Sequence, residues 1–209
     1  MTVDETTMQD IVTFHGHMCP GLAIGVVAAE IAIEELGVHS QDHELVAVTE
    51  TDMCGVDAVQ FMTGCTFGKG NLMYQDWGKT VFTFFRTTDG RAIRIASKPE
   101  IPEPDLEHEA LFAKVRAGSA TDVEHARFRE LHQNRSDMVF AMDRNALFTV
   151  ERFLGSPPPN DRGARWVICD LCGEGVVEAK TQEIDGKVHC RPCAAAAGPP
   201  TSDRVNLLQ

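Results

Sequence analysis

Apolar positions along this chain follow two periods. From Pro20 to about Leu36 they are almost continuous, broken by Glu30 and closed by Glu34 and Glu35. Proline at the first position and Gly37 just past the end predict a largely buried helix. The run falls short of the roughly 18 apolar residues of a membrane span. A shorter helix is predicted over Thr7–Phe14, capped by Thr6 or Thr7. Another is predicted from about Met53 to Met62, capped by Thr51 or Asp52 and stopped at Gly64. Alternating positions predict strands at Leu45–Thr49, Thr80–Thr87, Arg91–Ser97 and Leu147–Phe153, with Asp89-Gly90 turning the middle pair. Asp105–Val115 and the heavily charged Asp122–Arg144 read as helices, and Pro99–Pro104 as the connector before them. Runs of helix and hairpin, without regular alternation, predict an α+β class. The expected architecture is a mixed helix and antiparallel-sheet core with a zinc ribbon appended at the C-terminus.

The ribbon is predicted from Cys169-x-x-Cys172 and Cys190-x-x-Cys193. Each pair puts two thiolates on one side of a tight turn, and two pairs complete a closed tetrahedral site for structural zinc. The stretch between them, Glu178 to Val188, reads as a hairpin turning at Asp185-Gly186. His189 beside Cys190 could replace a thiolate, but four cysteines already fill the site. These features divide the chain into a core over 1–154, a proline-rich linker over 155–163, a ribbon over 164–194 and a flexible tail over 195–209.

A second constellation lies near the N-terminus, Phe14-His15-Gly16-His17-Met18-Cys19-Pro20-Gly21. In an extended chain before Pro20, His15, His17 and Cys19 would project to one side. Two imidazoles and a thiol at a helix start suit zinc, iron or nickel. The helix N-terminus is expected to draw the Cys19 pKa down toward thiolate. Cys54 is placed the same way, in the first turn of its own helix, although a lone cysteine reads equally as a small hydrophobe. Cys65 is harder to accommodate, since a continuous helix from Cys54 to Cys65 spans about 16 Å. Its glycine-rich surroundings through Gly70 make an anion cradle around Lys69 or a flexible connector. They do not match a nucleotide P-loop, because Gly70 stands where Ser or Thr should bind magnesium. His39, His43, His108, His125 and His132 read as ordinary surface histidines.

A net charge of −12 and a pI near 5.0 argue against nucleic acid as a partner. Abundant acid with few lysines fits a high-salt cytoplasm, and fits GC-rich coding equally well. The N-terminus carries Asp4 and Glu5 without a basic region, so no secretory signal is expected, and free thiols fit a reducing cytoplasm.

Three stretches resemble the FmdE family, which takes its name from a component of formylmethanofuran dehydrogenase: Phe14 to Gly25, Cys54 to Gln60 and Thr63 to Leu72. The Leu147–Val150 strand and the ribbon continue the likeness. The resemblance implies an α+β core that forms a homodimer, and a cleft whose His and Cys residues bind a metal. Here those are His17, Cys19, Cys54 and Cys65, with His15 and Lys69 behind them. A dimer would let Cys65 serve a neighbouring subunit. The expectation is a cytoplasmic protein with zinc in the ribbon and a second transition metal in the core. Zinc is the first choice for that metal and iron or nickel the alternatives. Cys54, Cys19 and Lys69 are the candidate catalytic groups. The family name implies a setting in one-carbon or molybdenum-enzyme metabolism and a partner enzyme there. The alternatives are an accessory module handling metal or sulfur, and a regulatory zinc-ribbon protein.

Overall fold

A computed structural model describes residues 3–37, 43–99, 105–160 and 165–197. His39, most of the connector before the charged helices, residues 161–164 and the tail from 198 onward lie outside the described residues. The chain divides into two compact units, Met1–Pro158 and Pro159–Gln209.

In the first unit, helix α1 (Glu5–His15) is capped by Asp4, whose carboxylate accepts from Thr7 N at 2.7 Å. The cap is thus earlier than either predicted threonine, because a carboxylate satisfies the first-turn amides better than a hydroxyl at that position. Helix α2 (Pro20–Leu36) starts and stops at the predicted residues, and most of its side chains are buried. Glu30 in its middle is buried too. Its carboxylate accepts from Arg144 Nη2 and from Val3 N, each at 3.0 Å, so the charge is paired within the core.

Strand β1 (Leu45–Thr49), helix α3 (Gly55–Thr63), strand β2 (Leu72–Tyr74) and the hairpin of β3 (Val81–Arg86) and β4 (Arg91–Ser97) follow. Helices α4 (Leu106–Arg116), α5 (Asp122–Ala141) and the single turn α6 (Arg144–Leu147) then lead into β5 (Phe148–Leu154). A capping box of Thr121 and Glu124 starts α5, and Met142 and Asp143 end it short of the predicted Arg144. The sheet runs β2-β1-β3-β4-β5, with β1 and β2 parallel and the remaining pairs antiparallel. β2 is absent from the expected strands, because three residues flanked by turns carry too little alternation to read.

Phe82 and Phe84 on β3 and Ile93 and Ile95 on β4 recur every second residue, so they share one face of the sheet. Ala23, Val27, Ala28 and Ile31 of α2 join them in one buried cluster, with Val139 of α5 and Leu147. A second cluster, of Ile11, Leu22, Val26 and Ala58, binds α1 and α3 to the other side of α2.

α2 crosses α3 at two glycines. A Cβ built on Gly25 would stand 2.3 Å from Gly55 O and 2.5 Å from Gly55 Cα, both backbone atoms. Gly25→Ala must therefore push the helices apart, an overpacking cost of about 2–3 kcal/mol. Gly68→Ala, where the added carbon meets nothing within 4 Å, serves as the control. Urea denaturation should show a lower midpoint for Gly25→Ala and a change within about 0.5 kcal/mol for Gly68→Ala.

Candidate functional site

The His15 to Cys19 segment is not an extended strip. His15 is the last residue of α1, and Gly16 follows at φ +98, the left-handed conformation glycine adopts without strain. That reversal, and not alternation along a strand, returns His17 toward His15. Cys19 has extended backbone and caps α2, its Sγ accepting from Leu22 N at 3.3 Å. One ligand atom from each of His15, His17 and Cys19 lies within 4.8 Å of the others. His15 Nε2 is 3.9 Å from Cys19 Sγ, close to the roughly 3.6 Å edge that two such donors make around one tetrahedral zinc. The other nitrogen, His15 Nδ1, is 2.7 Å from Asp57 Oδ2. A carboxylate behind a ligating imidazole is the usual way such a ring is oriented. Asp57 escapes a reading of the sequence because its signal, one helical turn after Cys54, appears only once α3 packs on α2.

Cys54 is the N-cap of α3, not a first-turn residue, and makes no capping bond. It stands beside Cys19. A Cβ on Gly21 would meet Cys54 Sγ at 3.9 Å and Cys19 Sγ at 4.0 Å. Cys19 departs from expectation in its acidity. Burial pushes its pKa up to about 12, outweighing the amide of Leu22, and the neighbouring Cys54 adds to the rise. A helix start lowers a thiol pKa only where water or a cation offsets desolvation.

Cys65 and Lys69 are not brought to this site. Gly64, left-handed at φ +68, ends α3, and Cys65 turns into the main core, fully buried and donating to Leu45 O at 3.4 Å. Burial raises its pKa to about 11. A thiol enclosed in its own core cannot reach a neighbouring subunit, so the dimer route does not rescue it as a ligand. Lys69 belongs to the turn after Cys65, where its positive charge faces that thiol.

Two histidines expected at the surface are part of the site's surroundings. His108 of α4 is buried, and its Nε2 lies 2.7 Å from His132 Nδ1 of α5. The His132 ring stacks near-parallel to His17, centroids 6.5 Å apart. Burial first, then His108 and His17, pushes the His132 pKa down to about 4. His125 is half-buried and His43 exposed, and neither belongs to the His/Cys cluster. His17, Met18 and Phe128 line a cavity of about 340 Å³ here.

A family model described as "FmdE, Molybdenum formylmethanofuran dehydrogenase operon" matches residues 14–149. The chain belongs to the FmdE family. Among solved structures it is similar to a tungsten formylmethanofuran dehydrogenase FmdE-like protein from Syntrophus aciditrophicus. That likeness has a TM-score of 0.57 at 22% identity, covers 94% of each chain and shows the shared fold. A "Probable S-adenosyl-L-methionine-binding protein" of Archaeoglobus fulgidus is 40% identical over 119 residues, 52% of this chain and 32% of the relative. The FmdE-family chain thus spans about a third of that relative's length.

In the second unit of this FmdE-family protein, β6 (Trp166–Ile168) and β7 (Gly175–Val177) form a hairpin whose turn carries Cys169 and Cys172. A 3-10 turn (Glu178–Lys180) leads to β8 (Thr181–Ile184) and β9 (Lys187–Cys190). Asp185 and Gly186 both have positive φ, the backbone an Asp-Gly hairpin turn demands. Cys190 ends β9, and Cys193 sits in helix α7 (Arg191–Ala197). The second pair therefore rides on a strand end and a helix start, and residues expected to open a frayed tail are helical. Four sulfurs converge within 4.8 Å. Cys172 and Cys190 are 3.9 Å apart, near the roughly 3.8 Å edge of a four-thiolate zinc tetrahedron. Backbone amides of Cys172 and Cys190 draw the Cys169 pKa down to about 6. A "Prokaryotic dksA/traR C4-type zinc finger" model matches residues 163–197, in accord with zinc at these cysteines. His189 is buried but stays outside the cluster of four.

Two outcomes follow from these geometries. Cys172→Ala should remove about one zinc per chain, and amide hydrogen exchange should speed up across the two small hairpins. His132, neutral when folded, binds its proton more readily when unfolded. Its contribution to stability is therefore complete above about pH 6.5 and falls as pH drops toward 4. Thermal melts from pH 7 to 4.5 should show a shallower acid loss in His132→Gln than in the unaltered protein.

Proposed function

We propose that the core of this protein is a second metal centre with an open position, held by His15, His17 and Cys19, with Cys54 adjacent. The convergence of those three donors at the head of α2, with Asp57 behind His15, carries the reading. The donor set fits: borderline nitrogen and sulfur ligands suit zinc first, and iron or nickel after it. Three protein ligands without a fourth are the pattern of sites that do chemistry. A bound ion there supplies Lewis acidity, polarising an oxygen or activating water.

The chain's own residues have separable tasks. Asp57 fixes the His15 ring so that Nε2 faces Cys19. The α2 amide of Leu22 steadies the Cys19 sulfur. Burial keeps Cys19 protonated until a cation arrives, so loading releases a proton. Cys54 is placed to complete the ligand set or to act as a nucleophile. Cys65 and Lys69 take no part. The family's name supports a place in one-carbon chemistry. The Archaeoglobus relative's name makes S-adenosyl-L-methionine a trial ligand.

Metal per chain, measured by mass spectrometry on protein purified without added metal, tests the centre. The full chain is expected to hold about two ions, and His17→Ala and Cys19→Ser about one, with the C-terminal zinc retained. Asp57→Asn should weaken the core ion about 10–100-fold without abolishing it. One ion in the unaltered chain, unmoved by the His17 and Cys19 changes, would sink the proposal.

A further inference from the structure

The cavity beside His17 has walls that belong to no ligand set. On one side are His17 and Met18, on the other Phe112 of α4 and Phe128, Arg129 and Gln133 of α5. The rings of Phe112 and Phe128 lie 14° from parallel with centroids 5.8 Å apart. His132 continues from Phe128 at 4.8 Å. The wall is therefore largely aromatic, an offset stack with His132 tilted 33° from Phe128, against which another ring packs favourably.

Its charge is as informative. Arg129 has no carboxylate partner among the described residues, although the chain carries 31 acidic residues against 19 lysines and arginines. Arg127, two positions earlier on the same helix, is held by Glu107 and Glu130. Among the described residues, no carboxylate lines the cavity. Arg129 is the fixed charge on this wall. One turn on from Arg129, Gln133 adds an amide at the rim. A guanidinium over an apolar wall, with no competing acid, selects an anion with a flat body. At about 340 Å³ the space sits at the small end of ligand sites, too small for a dinucleotide.

We infer that this cavity is the substrate pocket of the core centre and takes a small planar anion, an aromatic or heteroaromatic carboxylate whose ring lies on Phe128 and whose charge meets Arg129. Its role as a substrate pocket rests on the metal reading above, since His17 belongs to both. Binding of the anion does not depend on it.

Benzoate is the probe, with benzamide to remove the charge and cyclohexanecarboxylate to remove the flatness. Saturation-transfer NMR and calorimetry on the full chain should give a benzoate Kd of about 1–10 mM, as expected for so few atoms. The two controls should bind at least about 10-fold more weakly, and Arg129→Gln should cost benzoate a similar factor while leaving metal content unchanged. Phe128→Leu should erase the preference for benzoate over cyclohexanecarboxylate. No binding of benzoate up to about 50 mM, or binding indifferent to Arg129→Gln, overturns the pocket. Metal content is measured on the same samples, so the two readings fail separately. Core metal without anion binding removes the pocket alone. Selective anion binding in protein without core metal upholds the pocket and removes its link to the ion.

Discussion

Where α2 and α3 cross, the backbones of Gly25 and Gly55 touch so closely that neither helix can carry a side chain there. This approach sets the position of each helix head relative to the other. Cys19 caps α2 and Cys54 caps α3, so the crossing brings two thiols together from residues 35 positions apart. Asp57, in the first turn of α3, comes within reach of His15 for the same reason. The apolar layer of α2 on β3 and β4 then holds the pair rigidly against the sheet. Wider helix spacing would leave the His/Cys residues present but dispersed, as a loss of about an ångström is enough to spoil a ligand set.

The parts legible in the sequence are those governed by local rules. Helix α2 is readable from a continuous apolar run with proline and glycine at its ends. The hairpins are readable from Asp-Gly turns, and the zinc unit from two Cys-x-x-Cys pairs. Cys65 reads wrongly as a ligand because glycines on both sides resemble a functional loop, whereas Gly64 serves to end α3 and turn the thiol inward. His108 and His132 read wrongly as surface residues because they lie on charged helices with weak apolar faces. Burial there depends on how α4 and α5 pair, a tertiary fact that periodicity along one helix does not contain. The same limit hides Asp57.

Family membership settles the frame and leaves the reaction open, and the geometry shows why. The stretch matched by the family model carries His15, His17, Cys19, Cys54 and Asp57, all on or beside α1, α2 and α3. Across the cavity from His17 stand Phe112 of α4 and Phe128 and Arg129 of α5, which the same match also spans. A frame of metal donors determines which ions fit. In the proposed pocket, the opposite wall would set which molecules reach the centre.

The two cysteine clusters differ in how their thiols are shifted. In the C-terminal unit, amides of Cys172 and Cys190 draw Cys169 down to about 6, while the neighbouring thiols push Cys193 up to about 12. In the core, burial outweighs the amides of Leu22 and Gly21, and Cys19 stands at about 12. One thiol of the C-terminal cluster thus ionises ahead of its neighbours, and metal binding there is part of folding. At the proposed core centre, loading would release the Cys19 proton, which would tie occupancy to pH and to the strength of the incoming cation.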